Sequence, residues 1–191
     1  MTARRKRRLP SVLAPGEAVT LLGRLDPDSG WRDLRDRCVL ELMYRAGLRV
    51  GEVVRLAVRD IELDGVVRVH DGKGGDGTAY FSASRVAPLI SRWLDARAEI
   101  APGGDVLFVD ARGGPVSVRY VQRLVARLKV EAGIGGKCTP HVLRHTFATE
   151  RLDEGFSIRE VQELLRHANV ATTEVYTHVF EPRLRDKMQS T

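Results

Sequence analysis

The sequence predicts a mainly α fold with a small antiparallel β-sheet (α+β), and three observations carry that expectation. Apolar residues recur at helical spacing in several segments, each bounded by residues that start or stop helices. One stretch, 66–81, instead pairs two β-rich runs about a glycine-rich turn. With 191 residues and 43% hydrophobic content, the chain is long enough for one core of ordinary size.

The elements follow in order. Residues 1–12 read as a basic arm and linker closed by Leu9-Pro10, and residues 13–191 as one domain. Pro15 stands in the first turn of a helix with apolar positions Val19, Leu21, Leu22 and Leu25, ended by the loop Asp26-Pro27-Asp28-Ser29-Gly30. A longer helix runs from Trp31 to Ala46, with Trp31, Leu34, Cys38 and Leu42 on one stripe and Val39 and Met43 beside it; Gly47 stops it. After Gly47-Leu48-Arg49-Val50-Gly51-Glu52, a further helix is expected to carry Val53, Val54 and Leu56 toward Asp60. The hairpin comes next, Val66 to His70 and Thr78 to Phe81 about the turn 72–77 that holds Lys73. An amphipathic helix follows from Ser84 through Val86, Ile90 and Trp93 to the Pro102-Gly103 break. A short apolar run, Val106 to Val109, precedes a helix marked by Val118, Val121, Leu124, Val125 and Leu128 that reaches Gly133.

Composition narrows the function. The net charge is +6, but Arg4, Arg5, Lys6, Arg7 and Arg8 supply five of those charges, so the balance argues for an arm able to track phosphates and not for a basic globule. No window approaches the run of about 20 apolar residues that spans a membrane, and none follows the basic start as a signal peptide requires, so a cytoplasmic, nucleoid-associated protein without a membrane partner is expected. Cys38 and Cys138 form neither a disulfide framework nor a zinc-finger spacing.

The chemistry-bearing stretch is 138–178, which holds His141, His145, His167 and His178 with Arg144 and Tyr176. Thr139-Pro140 starts a helix on which His141 and Arg144, three apart, share a face. Arg144 is also three and four residues from Phe147 and Ala148, so its stem lies along the apolar side, and a planar five-donor fork placed there suits phosphate oxygens. Gly155 closes this helix, and Ser157-Ile158-Arg159-Glu160 is a capping box for the next, which leads to His167. Thr172 and Thr173 can cap a short helix holding Tyr176. Upstream, Glu52 is spaced to brace Arg49 by a charge-assisted hydrogen bond; at that spacing an ordinary surface pair is the alternative. His141 and His145 are four apart, a metal-ligand spacing, but the glutamate of a His-Glu-x-x-His zinc box is missing. His145 and the tyrosines Tyr44, Tyr80 and Tyr120 read as structural.

His-x-x-Arg-His at 141–145, Leu-Leu-x-His at 164–167, Tyr-Thr-His at 176–178 and Ala-Gly-Leu-Arg-x-x-Glu at 46–52 together resemble the signature of the tyrosine recombinase (phage integrase) family. The resemblance covers nearly all of residues 13–180 and implies the DNA breaking-rejoining catalytic fold. It implies a catalytic set of Arg49, Lys73, His141, Arg144, His167 and Tyr176, with Glu52 supporting and no metal or nucleotide cofactor. In that scheme Tyr176 attacks a DNA phosphodiester, two arginines and an imidazole N–H stabilise the charge on the nonbridging oxygens, His141 receives the phenol proton, and Lys73 protonates the departing 5′ oxygen. The partners implied are a double-stranded DNA recombination site and a homotetramer on paired sites. A DNA-binding decoy and a type IB topoisomerase-like enzyme are the alternative readings.

The sequence departs from the family pattern in three places. Arg166 stands where the family has glycine before the histidine. Gly75-Asp76-Gly77 follows Lys73 where a basic or polar stretch is usual. Nothing corresponds to the separate amino-terminal helical domain that members commonly carry, which fits either an excised catalytic domain or a naturally short recombinase.

Overall fold

The axis of the molecule is a helix with scarcely any solvent face. In a computed structural model that describes residues 11–70 and 76–166, helix α2 (Trp31–Arg45) buries ten of its 15 residues, including the charged Arg35, Asp36 and Glu41. A helix buried nearly all round must be covered from several sides. Helices α1 (Glu17–Leu22), α3 (Val50–Val53), α4 (Ala83–Ile100) and α6 (Pro140–Asp153) supply that cover, and α5 (Val118–Glu131) closes the bundle against α1, α3 and α6. Helix α7 (Ile158–Leu164) packs on α6 through a separate apolar cluster of Phe147, Ala148, Leu152, Val161 and Leu165.

The charged residues inside α2 are all partnered, as burial demands. Asp36 accepts from Arg35 Nε (2.9 Å) and Nη2 (2.7 Å) through one oxygen and from the Tyr120 hydroxyl (2.6 Å) through the other, while Arg35 Nη1 reaches the Val109 carbonyl (3.0 Å). Glu41 holds Arg37 at 2.9 Å and Arg45 on its other oxygen. On the far side of the core Trp93 lies between Trp31 and Phe108 and donates its indole N–H to the Leu107 carbonyl (2.9 Å).

The sheet is a three-stranded antiparallel meander, β1 (Ile61–Glu62), β2 (Val66–Val69) and β3 (Gly77–Tyr80). Val67 pairs with both Ile61 and Ala79, and those three residues turn to the core while Arg68 faces out beside Glu62. The hairpin is where the alternation of β-rich residues placed it; β1 was not evident, being only two residues long.

Three expectations need correction. Val19 is 57% exposed: the first helix runs only from Glu17 to Leu22, and Ala18, Leu21 and Leu22 form its inner face. Pro15 precedes that helix, and Gly16, with φ 84°, takes the capping position. The helix expected to run toward Asp60 stops at Val53, because the backbone beyond it is committed elsewhere. Leu107 N donates to Leu56 O (2.8 Å), Val58 N to Asp105 O (2.7 Å), and Asp60 caps Ala57 N (2.8 Å) around a 3-10 turn at Val58–Asp60.

The other stops fall as expected. Gly155 (φ 106°) follows α6, Ser157 and Glu160 form the capping box of α7, and both cysteines are buried free thiols. No helix among the described residues is long and apolar enough to cross a membrane. Gly47 ends α2 with φ 63°, and a Cβ there would lie 2.7 Å from the Phe147 ring. Replacing it with alanine should therefore cost about 2 kcal/mol or more, a left-handed residue and an overpacked contact together. Urea denaturation reads this directly, and an unchanged midpoint would show that the turn relaxes without strain.

Candidate active site

The site begins where α2 ends. Gly47 reverses the chain, and Arg49, extended at φ −73° and ψ 149°, occupies the position just before α3. Glu52 in the first turn of α3 folds back on it. One carboxylate oxygen accepts from the Arg49 backbone N–H and the other from Arg49 Nη1, both at 2.7 Å. Glu52 is 5% exposed, whereas the Arg49 side chain is 37% exposed. The pair is not the surface contact that its spacing also allowed: a buried carboxylate fixes one edge of a partly exposed guanidinium.

Arg144 arrives from the other half of the chain. Thr139 caps α6 by accepting from Val142 N, Pro140 occupies the first turn, and the helix turns Arg144 inward to 5% exposure. Its Nη1 donates to the Gly47 carbonyl and its Nη2 to the Leu165 carbonyl (2.6 Å), and Nη1 lies 3.7 Å from Glu52 Oε2. One guanidinium thus ties the α2–α3 turn, α6 and the end of α7 together.

A third guanidinium joins them. Arg166, just past α7, donates from Nη2 to Glu52 Oε2 at 2.7 Å and from Nη1 to the Leu164 carbonyl at 3.3 Å. Its place in the cluster was not evident from the sequence, where the only signal was a departure from glycine at that position. Burial pushes the Glu52 carboxyl up, but Arg166, the two hydrogen bonds from Arg49 and the charge of Arg144 outweigh it and hold the group below its ordinary range. Among the described residues three cations surround this one ionised carboxylate, an excess of positive charge suited to a dianionic phosphorus centre.

His141 is exposed on the first turn of α6, one turn before Arg144. His145 is half-buried, and burial together with His141, Arg144 and Lys137 lowers its pKa, which favours a neutral imidazole and fits the structural reading. Lys73, His167 and Tyr176 lie outside the described residues, as do the arm 1–10 and the tail beyond residue 166. The strands flanking Lys73 are described. His70 joins them at the hairpin base, with Nδ1 3.0 Å from Asp76 and Nε2 3.2 Å from Asp60, an arrangement with no local sequence signal. Among the described residues no group of three or more His, Cys, Asp or Glu is placed to hold a metal ion.

Comparison with known proteins extends the picture. A family model described as the phage integrase family matches residues 11–183. A tyrosine recombinase XerC of Vibrio cholerae is 38% identical over 178 residues, 92% of this chain and 56% of the relative. A tyrosine recombinase XerD of Ralstonia nicotianae is 39% identical over 188 residues, 96% of this chain and 61% of the relative. The chain therefore spans little more than half the length of these relatives. Among solved structures, XerA recombinase superposes with a TM-score of 0.82 at 34% identity, covering 96% of this chain and 65% of that one. XerH recombinase in a post-cleavage complex with its palindromic difH substrate superposes at 0.83 and 25% identity, covering 98% and 55%.

The depressed pKa of Glu52 carries a pH signature. A carboxylate stabilised in the folded state contributes fully above its unfolded pKa, and the contribution is lost as pH falls through the lower folded value. Glu52→Gln should cost about 3 kcal/mol near neutral pH, since it leaves buried guanidinium charge uncompensated. That difference should shrink as pH falls below the ordinary carboxylate range. Denaturant titrations of both proteins across that range provide the check, and a pH-independent difference would assign the cost to the cap hydrogen bonds alone.

Proposed function

Because the chain belongs to the phage integrase family, the tyrosine recombinases, we propose that it is a site-specific DNA recombinase that cuts and rejoins DNA through a 3′-phosphotyrosine intermediate. One observation carries the reading: Glu52, Arg49 and Arg144 form a single cluster although Gly47 and Arg144, which are hydrogen-bonded, stand 97 residues apart. A structural ion pair needs two groups. Among the described residues this arrangement gathers three guanidiniums on one carboxylate, and it leaves the Arg49 side chain partly exposed, open to a ligand.

In the proposed reaction the Tyr176 oxygen attacks the scissile phosphorus and passes its proton to His141. The phosphorus to 5′-oxygen bond breaks, and Lys73 protonates the leaving oxygen as a 5′ hydroxyl. Arg49, Arg144 and His167 receive the charge that gathers on the nonbridging oxygens. The phosphotyrosine conserves the bond energy, so attack by a 5′ hydroxyl of another strand reverses the sequence without a cofactor. Residues 13–191 make up the catalytic unit in this scheme, and the arm 1–12 adds sequence-independent phosphate contacts.

The partner is a double-stranded recombination site in the nucleoid, and four copies act on two paired sites. The XerH complexes with difH and a lambda integrase dimer bound to a core site, at 25% identity or slightly above, support the DNA partner. A binding-only decoy has no use for a tyrosine nucleophile, and a solitary nicking-closing enzyme would not synapse duplexes.

Incubation with a random-sequence pool of nicked duplexes, followed by denaturing gels, tests the nucleophile. Wild type should yield a covalent protein–DNA adduct, and Tyr176→Phe should yield none while binding the selected duplex within about threefold, a change of under 1 kcal/mol. An adduct formed by the Phe variant would remove Tyr176 from the role.

A further inference from the structure

The β2–β3 hairpin carries three titratable groups where its ladder ends, and the reaction scheme leaves them unused. Val69 pairs with Gly77 in the last rung, so His70 and Asp76 stand opposite each other at the next position. The His70 ring lies between two carboxylates, with Nδ1 3.0 Å from Asp76 Oδ1 and Nε2 3.2 Å from Asp60 Oδ1. Asp60 is 4% exposed, and its other oxygen accepts from Ala57 N at 2.8 Å, in the 3-10 turn that Val58 N ties to Asp105 O. The ring therefore joins the end of β2, the entry to β3 and a turn anchored by a buried carboxylate. Lys73 stands three positions from His70 and three from Asp76.

One protonation state satisfies this arrangement. A neutral imidazole has one N–H and one lone pair, so one of the two carboxylates would meet the lone pair, whereas the imidazolium donates to both. Hydrogen bonds to Asp76 and Asp60, with the charge of both, accordingly raise the His70 pKa above its ordinary value. Charges on the adjoining elements are engaged elsewhere: Arg59 with Asp105, Glu62 with Arg68, and Arg166, which packs on Gly77, with Glu52. Because the folded pKa is the higher one, the bridge is complete below the ordinary histidine value and is lost as pH rises through the folded value.

We propose that His70 is a positioning residue for Lys73: protonated on both nitrogens, it joins the two ends of the turn that carries Lys73 and fixes them to the buried Asp60. The inference rests on the recombinase reading, in which Lys73 protonates the departing 5′ oxygen. The His70 side chain is 55% exposed, so the bridge acts on the rate by a few-fold and not by orders of magnitude.

The test has two arms, with His70→Gln and Asp76→Asn compared with wild type; both variants should melt as wild type does. In the first arm NMR follows the histidine ring nitrogens across pH, with His70 identified by its loss in His70→Gln. His70 should titrate above the ordinary histidine value, and Asp76→Asn should lower it. An ordinary value indifferent to Asp76→Asn overturns the bridge without reference to any reaction. The second arm measures single-turnover cleavage, at saturating protein, of a duplex selected by covalent capture with wild type. Below the ordinary histidine pKa both variants should be slower by about threefold, the scale of an exposed ion pair, and the deficit of His70→Gln should vanish above the folded pKa. The two substitutions change net charge in opposite directions there, so a shared deficit is no bulk effect of charge on DNA. Replacing the bridging 5′ oxygen by sulfur, which leaves without a proton, should erase the deficit of both variants and that of Lys73→Ala. A deficit that persists on the sulfur substrate, or that does not change with pH, overturns the inference. If wild type cleaves neither substrate, the recombinase reading fails and takes the inference with it, whereas Lys73→Ala left unrescued by sulfur overturns the link to Lys73 alone.

Discussion

A carboxylate taken out of water must be paired, and the structure is arranged around satisfying that requirement at Glu52. Its two oxygens take one backbone N–H and two guanidiniums at hydrogen-bond distance, with a third guanidinium nearby. Those partners come from the turn after α2, from α6 and from the end of α7. No local signal brings these segments together; the cost of leaving a buried charge unpaired does. The same requirement that holds these segments in register also concentrates positive charge at one place, so stability and the proposed anion recognition have a common origin here.

The rest of the fold keeps that hub in position. Helix α2 delivers Gly47, whose left-handed turn lets the chain reverse and whose carbonyl anchors Arg144. The helix is itself fixed by the Arg35, Asp36 and Tyr120 network, in which burial pushes the Asp36 carboxyl up against the opposing pull of Arg35 and Tyr120. Burial and the hydrogen bond to Asp36 push the Tyr120 phenol up to about 12, and burial with Glu150 raises that of Tyr44 as well. Both phenols are therefore proton donors to carboxylates at neutral pH, which agrees with reading them as structural and not as nucleophiles.

Much of this was legible in the sequence because it is written in short-range chemistry. Gly47, Thr139-Pro140, Gly155 and the Ser157 to Glu160 box each specify a backbone geometry within a few residues, and each boundary falls there. The Arg49 to Glu52 brace was also readable from spacing, although its burial was not. What escaped was set by partners distant in sequence. Helix α3 stops early because strand-like bonds from residues 105–107 claim its continuation, and Val19 faces out because Ala18, Leu21 and Leu22 form the inner face of its helix. Arg166 could be seen only as a departure from a family pattern; its ion pair reaches 114 residues back.

In the proposed reaction Arg49 and Arg144, bound to one carboxylate system, act as a unit on one phosphate. A double-mutant cycle on single-turnover strand cleavage, using Arg49→Ala, Arg144→Ala and their combination, measures it most directly. Strong coupling is expected, with the double variant scarcely slower than the worse single variant. Losses that multiply independently would show two arginines serving separate phosphates or separate steps, and would contradict it.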